Sequence, residues 1–235
     1  MNFFRKMQTP NRRLVQMLAF ALLATLPAAL LAREKLPEVT SDGLHLVPHT
    51  KLYAVYAKPG ATLDQYTQVK ILDCYVQFKA NYQRDYNMQE IGLEGQVTTQ
   101  EMENMKKWLS AEFTKVFTEQ LDKGGHEVVD TVGPNVLLLR PAIINLDVTA
   151  PDTMRAGIDN TFTASAGQMT LYMELYDSAT SELLARIIDP EAGQEGGMMM
   201  EANRVTNSAE ADQILRRWAD LLNTHLAEVK QTAGH

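Results

Sequence analysis

Three histidines, a methionine run, scattered aspartates and one cysteine are the side chains here whose chemistry could exceed packing. His45 and His49 stand four apart in His45-Leu46-Val47-Pro48-His49. On a helix that spacing would aim both imidazoles the same way, as a zinc site requires. Pro48 and the irregular surroundings oppose a helix, and no nearby Cys or acidic cluster supplies more ligands. His45, His49 and His126 are therefore expected to be solvated rather than metal-bound. Met198-Met199-Met200, after Gly196-Gly197, could offer thioethers to Cu(I). Consecutive methionines on one loop do not converge easily, and the favoured reading is an adaptable apolar plug that packs on the core or on a partner.

Asp147, Asp152, Asp159 and Asp189 stand near expected strand ends. A glycosidase needs two carboxyls at a set separation, one with a raised pKa, and nothing in the sequence pairs any two of these. Cys74 lies in an apolar stretch, where a thiol is usually an inert small hydrophobe. Tyr53, Tyr56, Tyr75, Tyr82 and Tyr86 could stack on sugars or peptide, although tyrosine also suits half-wet strand faces. The nucleophile elbow, the P-loop, the dinucleotide fingerprint, the His-Glu-x-x-His helix and the Cys-x-x-Cys pair do not occur. No catalytic residue, metal site or cofactor is assigned.

The elements that would position such groups are legible from periodicity. Leu52–Ala57 and Val69–Phe78 are rich in Val, Ile, Tyr and Leu and are expected as two strands. Residues 79–97, polar with Gly92 and Gly95, are expected as a loop. From Thr99 to Lys123, Met102, Met105, Leu109, Phe113, Val116, Phe117 and Leu121 recur at three- and four-residue spacing, which predicts a helix. Thr98 with Glu101 is a capping box, and Gly124-Gly125 is a stop. Strands are expected at Glu127–Asp130 and Val136–Val148, with Pro141 placing the latter at a sheet edge or a bulge. In Gln168–Asp177, Met169, Leu171, Met173 and Leu175 alternate with Thr170, Tyr172, Glu174 and Tyr176, so one face is buried and one partly wet. A turn at Ser178–Ser181 leads into Leu183–Asp189 as an antiparallel hairpin. Residues 190–206 read as a loop, and Ser208 to about Lys230 as a helix burying Ala211, Ile214, Leu215, Trp218, Leu222 and Val229. This order predicts an α/β fold of the α+β type: a single two-layer domain over residues 51–232, with a mixed, mostly antiparallel sheet and two main helices.

Ahead of this domain, residues 1–13 carry Arg5, Lys6, Arg12 and Arg13 and no acid, and Leu14–Leu31 carries no charge. That is a signal-peptide pattern, with cleavage expected between Ala32 and Arg33. An uncleaved inner-membrane anchor is the alternative, opposed by Gln16, Pro27 and the Ala-rich end. Arg12-Arg13 partly matches a twin-arginine signal, which leaves the export route open. Residues 33–50, with Pro37, Gly43 and Pro48, are expected as a flexible, partly extended tether. Loss of the four bases takes the net charge from −7 to −11. Nucleic acid and anionic membrane are poor partners for such a chain. With Cys74 the lone cysteine, no internal disulfide can form.

The run Asp177-Ser178-Ala179-Thr180-Ser181-Glu182-Leu183-Leu184-Ala185, then Asp189, Ala192-Gly193, Trp218-Ala219, Leu222 and Leu226, resembles the bacterial domain-of-unknown-function 3313 family. Tyr56, Pro59, Asp64, Tyr66 and Val69-Lys70-Ile71-Leu72 resemble its opening, so the similarity spans most of residues 50–230. The resemblance implies a small envelope protein, in most members a lipoprotein, without an assigned activity. Two departures stand out. Leu30-Leu31-Ala32 would suit a lipobox, but Arg33 occupies the position of the lipid-bearing Cys. Ser181 stands where a turn glycine is common. The resulting expectation is a non-enzymatic periplasmic protein that binds another envelope protein through a sheet edge or the Met198–Met200 loop. A ligand-binding or hydrolytic domain acting on cell-wall or lipid material is the alternative.

Overall fold

The computed structural model describes residues 36–89, 95–148, 161–163, 167–192, 200–202 and 204–233. The export signal with Ala32 and Arg33, and also Asp152, Asp159, Met198 and Met199, lie outside the described residues. Among the described residues, ten strands and three helices run in the order β1 (His45–Leu46), β2 (Ala54–Ala57), β3 (Gln68–Ile71), β4 (Tyr75–Phe78), α1 (Tyr82–Gln89), α2 (Thr99–Lys123), β5 (Glu127–Val128), β6 (Val136–Val148), β7 (Thr161–Thr163), β8 (Gly167–Asp177), β9 (Leu183–Ala192), β10 (Met200–Ala202) and α3 (Arg204–Ala233).

The helix α2 begins where the capping box places it. The Thr98 hydroxyl accepts from the Glu101 N–H at 3.2 Å, and the Glu101 carboxylate accepts from the Thr98 N–H at 2.7 Å. Its stripe of Leu109, Phe113, Val116, Phe117 and Leu121 is buried, with Phe113 and Phe117 stacked at 3.9 Å between centroids. Leu215, Trp218, Ala219, Leu222 and Leu226 of α3 join that core. Ala211 and Ile214 lie only partly buried at its margin.

Both helical stripes pack on one face of a mixed sheet ordered β1-β2-β9-β8-β6-β3-β5, with β4 also on β6. The pairs from β1 to β6 are antiparallel, and β3 runs parallel to both β5 and β6. The β8–β9 hairpin and the expected inner row of Met169, Leu171, Met173 and Leu175 are present, all four side chains buried. A separate two-stranded sheet pairs β7 with β10, in which Met200 lies.

Five expectations need correction. Val69–Phe78 is two strands: β3 and β4 lie one after the other along the same edge of β6, with residues 72–74 between them. The strand containing Pro141 is neither an edge nor bulged at that residue, because β6 has β8 on one side and β3 then β4 on the other. Leu72 donates to the Leu139 carbonyl, so Pro141, two residues on, presents its missing N–H to the same side. There β3 pairing has stopped at Leu139 and β4 pairing starts only at Ala142. The proline costs the ladder nothing because no acceptor stands opposite it.

Within the expected loop 79–97, Tyr82–Gln89 is helical. Its anchor is Tyr82, buried against Phe78 at 4.6 Å and donating to the Val148 carbonyl at 2.9 Å. His126, expected to be solvated, is buried directly after α2, with its N–H on the Leu121 carbonyl. The stretch read as a tether enters the fold before residue 51. Val39 bridges to His45, Leu44 is buried, and β1 pairs with β2.

Candidate functional site

With α2 and α3 on one face, the side chains that alternate with the inner row of β8 point to the other. Register then builds a charged row: Arg140 of β6 stands opposite Glu174 of β8, which stands opposite Arg186 of β9. Glu174 is only 3% exposed. One of its oxygens accepts from Arg186 Nε at 3.1 Å, Arg186 Nη2 at 2.8 Å and the Tyr172 hydroxyl at 3.2 Å. The other accepts from the Tyr176 hydroxyl at 2.8 Å and meets Arg140 Nη2 at 2.5 Å. Each guanidinium also lies over a ring, Arg140 over Tyr176 and Arg186 over Tyr172, both 5.6 Å from the centroid.

A further carboxylate reaches this row from the chain's beginning. Asp42 accepts from Arg186 Nη1 at 3.3 Å and from Arg186 Nη2. It sits in a tight turn closed by Thr40 and Leu44, whose N–H donates to the Thr40 hydroxyl at 3.0 Å. The Arg186 bond, with help from Thr40, lowers the Asp42 carboxyl to about 2. Burial alone would favour neutral Glu174, but the bonds from Tyr176 and Arg186 and the two guanidinium charges outweigh it and hold the carboxyl below its usual value. Tyr172 and Tyr176 are pushed up by burial and by the adjacent Glu174 charge. The result is a rigid, ionised, hydrogen-bonded platform; a carboxylate in this state cannot serve as a proton donor near neutral pH.

A second polar group lies on the helix-covered face at the far end of β9. Asp189, buried, accepts from the Tyr53 N–H at 2.7 Å and from Trp218 Nε1 at 2.8 Å. Two residues on, Glu191 is paired with Arg217. Burial raises the Glu191 carboxyl, the Arg217 charge opposes that rise, and hydrogen bonding to Asp189 adds to it. Asp189 and Glu191 therefore form a carboxyl pair whose second member favours its protonated form more than a free glutamate does.

The other chemically suggestive residues do not gather. Asp147 pairs with Lys79 at 2.5 Å, on β6, with β8 between it and Asp189. His45 on β1 and His126 ahead of β5 belong to opposite ends of the sheet. Among the described residues no three of His, Cys, Asp and Glu come together as a metal site would need. The Cys74 thiol is buried and pushed up to about 12 by desolvation. Of the five tyrosines, Tyr56 and Tyr82 are buried, while Tyr53 and Tyr75 are exposed. Sequence reasoning missed Asp42, Arg140, Arg186, Glu191 and Arg217. The Tyr172-x-Glu174-x-Tyr176 pattern on a wet strand face was the available signal for the first cluster, since a glutamate between two tyrosines needs cationic cross-strand neighbours once buried.

Comparison with known proteins gives one family. The model described as protein of unknown function (DUF3313) matches residues 45–222. No curated protein matches the sequence. Similar solved structures include the PelC dodecamer from Paraburkholderia phytofirmans, at 11% identity, covering 71% of this chain and 95% of that one with a TM-score of 0.37. Protein XCC0632 from Xanthomonas campestris is similar at 12% identity, 76% and 94% coverage and a TM-score of 0.39. A DUF4136 family protein from Bacteroides thetaiotaomicron follows at 13% identity, 72% and 96% coverage and a TM-score of 0.34. With likenesses this low, none carries a functional inference.

Proposed function

We propose that this chain, which belongs to the DUF3313 family of proteins of unknown function, is an exported, non-enzymatic protein of the cell envelope that works in the periplasm by binding another envelope protein. The observation that carries this reading is the outer sheet face. Both long helices pack on the opposite face, and Glu174 fixes two arginines and two tyrosines into a rigid surface that holds its carboxylate ionised. Preorganised Arg and Tyr are the side chains that dominate recognition surfaces, and Tyr75 at 60% and Arg140 at 59% exposure stand open on this face. The address rests on the basic and apolar segments of residues 1–32. Among the described residues no helix is long and apolar enough to cross a membrane.

Crosslinking in intact cells at native expression, followed by pull-down, is expected to recover a specific envelope protein. N-terminal sequencing of the soluble periplasmic fraction is expected to begin at Arg33. Recovery of nothing above background at native expression would remove the binding reading.

The Asp189–Glu191 pair supports a second reading, hydrolysis of cell-wall or lipid material with Glu191 as proton donor. It is the weaker of the two because both Asp189 oxygens already accept protein hydrogen bonds and Glu191 is tied to Arg217. Measurable hydrolysis of peptidoglycan or lipid that disappears in Glu191→Gln would establish it over the binding reading.

A further inference from the structure

The two halves of the Glu174 row share a pattern, although Arg186 meets the carboxylate through two donors and Arg140 through one. On each side a Glu174 oxygen takes a guanidinium and a tyrosine hydroxyl, and on each side that guanidinium lies 5.6 Å from a tyrosine centroid. On the Arg186 side the outward donors of the guanidinium are taken by the Asp42 carboxylate, and Arg186 is 14% exposed. On the Arg140 side the outward donors face solvent, with the side chain 59% exposed. Among the described residues Glu174 is the carboxylate that Arg140 meets.

A second cation stands beside the open half. Lys70 of β3 stands opposite Leu138, two residues from Arg140 on the same side of the sheet, and its ammonium donates to a main-chain carbonyl, that of Asp130. Lys70, Arg140 and Arg186 share the face with the carboxylates of Glu174, Asp42 and, two strands from Arg140 at the β5 edge, Glu127, which accepts from Gln68. Among the described residues Arg140 is set apart by having only Glu174 beside it, a carboxylate that it shares with Arg186. Tyr75, opposite Ala142 on the same side, flanks the position with an exposed ring.

From the filled half we infer the ligand of the open one: Arg140, backed by Tyr176 and Glu174, is a binding site for a carboxylate carried on an acidic peptide segment of a protein partner, seated as the turn around Asp42 is seated on Arg186. This deepens the binding reading above and rests on it for the identity of the partner as a protein. A planar guanidinium held on a ring and pinned at one edge offers its remaining donors as a fork, the geometry that fits a carboxylate in two parallel hydrogen bonds.

The test uses the mature full-length chain and a capped peptide with the sequence of residues 39–44, Val-Thr-Ser-Asp-Gly-Leu, which carries a single carboxylate. Its Asp-to-Asn version, acetate and inorganic phosphate at matched ionic strength are the comparison probes, and the readout is NMR of the Arg140 Nε–H and the Tyr176 ring. The expected result is a saturable shift with the Asp peptide in the millimolar range, at least fivefold weaker with the Asn peptide and with Arg140→Gln, and a smaller shift with acetate at the same signals. Equal binding of both peptides, unchanged binding by Arg140→Gln, shifts confined to Arg186, or a response to phosphate alone would each overturn it. Arg140→Gln is exposed enough to leave the fold intact, which unchanged inner-face methyl shifts would verify. The intact-cell pull-down separates this inference from the reading beneath it. A partner captured by the wild type and lost in Arg140→Gln supports both. A partner captured equally by the two overturns the Arg140 site and leaves the binding reading standing. Absence of any partner beside a positive titration overturns that reading and supports the site.

Discussion

Replacing Glu174 by Gln tests whether the outer row holds the sheet together as its geometry implies. The side chain is buried and receives Tyr172, Tyr176, two donors of Arg186 and one of Arg140. Removing one partner of a buried ion pair costs about 3–5 kcal/mol. Here Gln keeps one acceptor oxygen, Arg140 is open to water, and Arg186 retains Asp42, so the expected loss is about 2–3 kcal/mol. That corresponds to a Tm lower by about 4–12 °C for a domain of this size. Urea unfolding at pH 7 should show a lower midpoint with an unchanged slope. Double-mutant cycles should give a larger coupling with Arg186→Gln than with Arg140→Gln, because Arg186 is 14% exposed and Arg140 59%. The pH dependence has a fixed sign. Because the folded Glu174 carboxyl lies below its ordinary value of 4.5, its contribution is present above that pH and fades as pH falls through the folded value. The gap between wild type and Glu174→Gln should therefore close in acid. A loss under about 1 kcal/mol at pH 7, or a gap that widens in acid, would refute this account of the row.

Three further outcomes are expected. Trp218→Phe removes the indole donor from buried Asp189 and should cost about 2–3 kcal/mol in urea unfolding, a loss that a parallel Trp substitution at exposed Trp108 should not reproduce. Ser181 holds φ at 61°, a region that suits glycine, so Ser181→Gly should raise stability by up to about 1 kcal/mol; a decrease would show that the turn depends on the serine side chain. The Cys74 thiol, pushed up to about 12, should resist a disulfide reagent at pH 8 in the native protein and react once per chain in denaturant, and rapid native labelling would contradict its burial.

Where local chemistry decides an element, the sequence shows it. The α2 start needs only Thr98 and Glu101, and the inner row of β8 needs only period-two alternation. Where a neighbour decides, it does not. Tyr82–Gln89 contains no apolar stripe, and its helix is held by contacts distant in sequence: Tyr82 on Val148, and Asn87 exchanging two hydrogen bonds with Val97 at 2.7 and 3.0 Å. Pro141 misled for the same reason. A proline excludes a strand from the sheet interior only if each position has a neighbour demanding an N–H, and the two-piece edge formed by β3 and β4 leaves one position without such a demand.

The charged row shows how small the missing information was. Pairing Asp177 with Glu182 across the turn and counting outward places Ala185 opposite Glu174, which would bury the glutamate with no cationic partner from β9. The hairpin instead pairs Tyr176 with Leu183 but Leu175 with Ala185, an irregularity of one residue that brings Arg186 opposite Glu174. Since a one-residue slip exchanges the two faces of a strand, the same irregularity lets Leu184 and Ala185 both be buried while Arg186 emerges on the outer face. With Leu184 and Ala185 both kept, a regular hairpin would set Arg186 opposite Met173 on the helix-covered face and leave Glu174 and Asp42 without their shared guanidinium. Deleting one residue within Leu184–Ala185 would instead make the hairpin regular with Arg186 still opposite Glu174, so the row should survive that deletion, and loss of the Arg186 contacts in such a variant would refute this register.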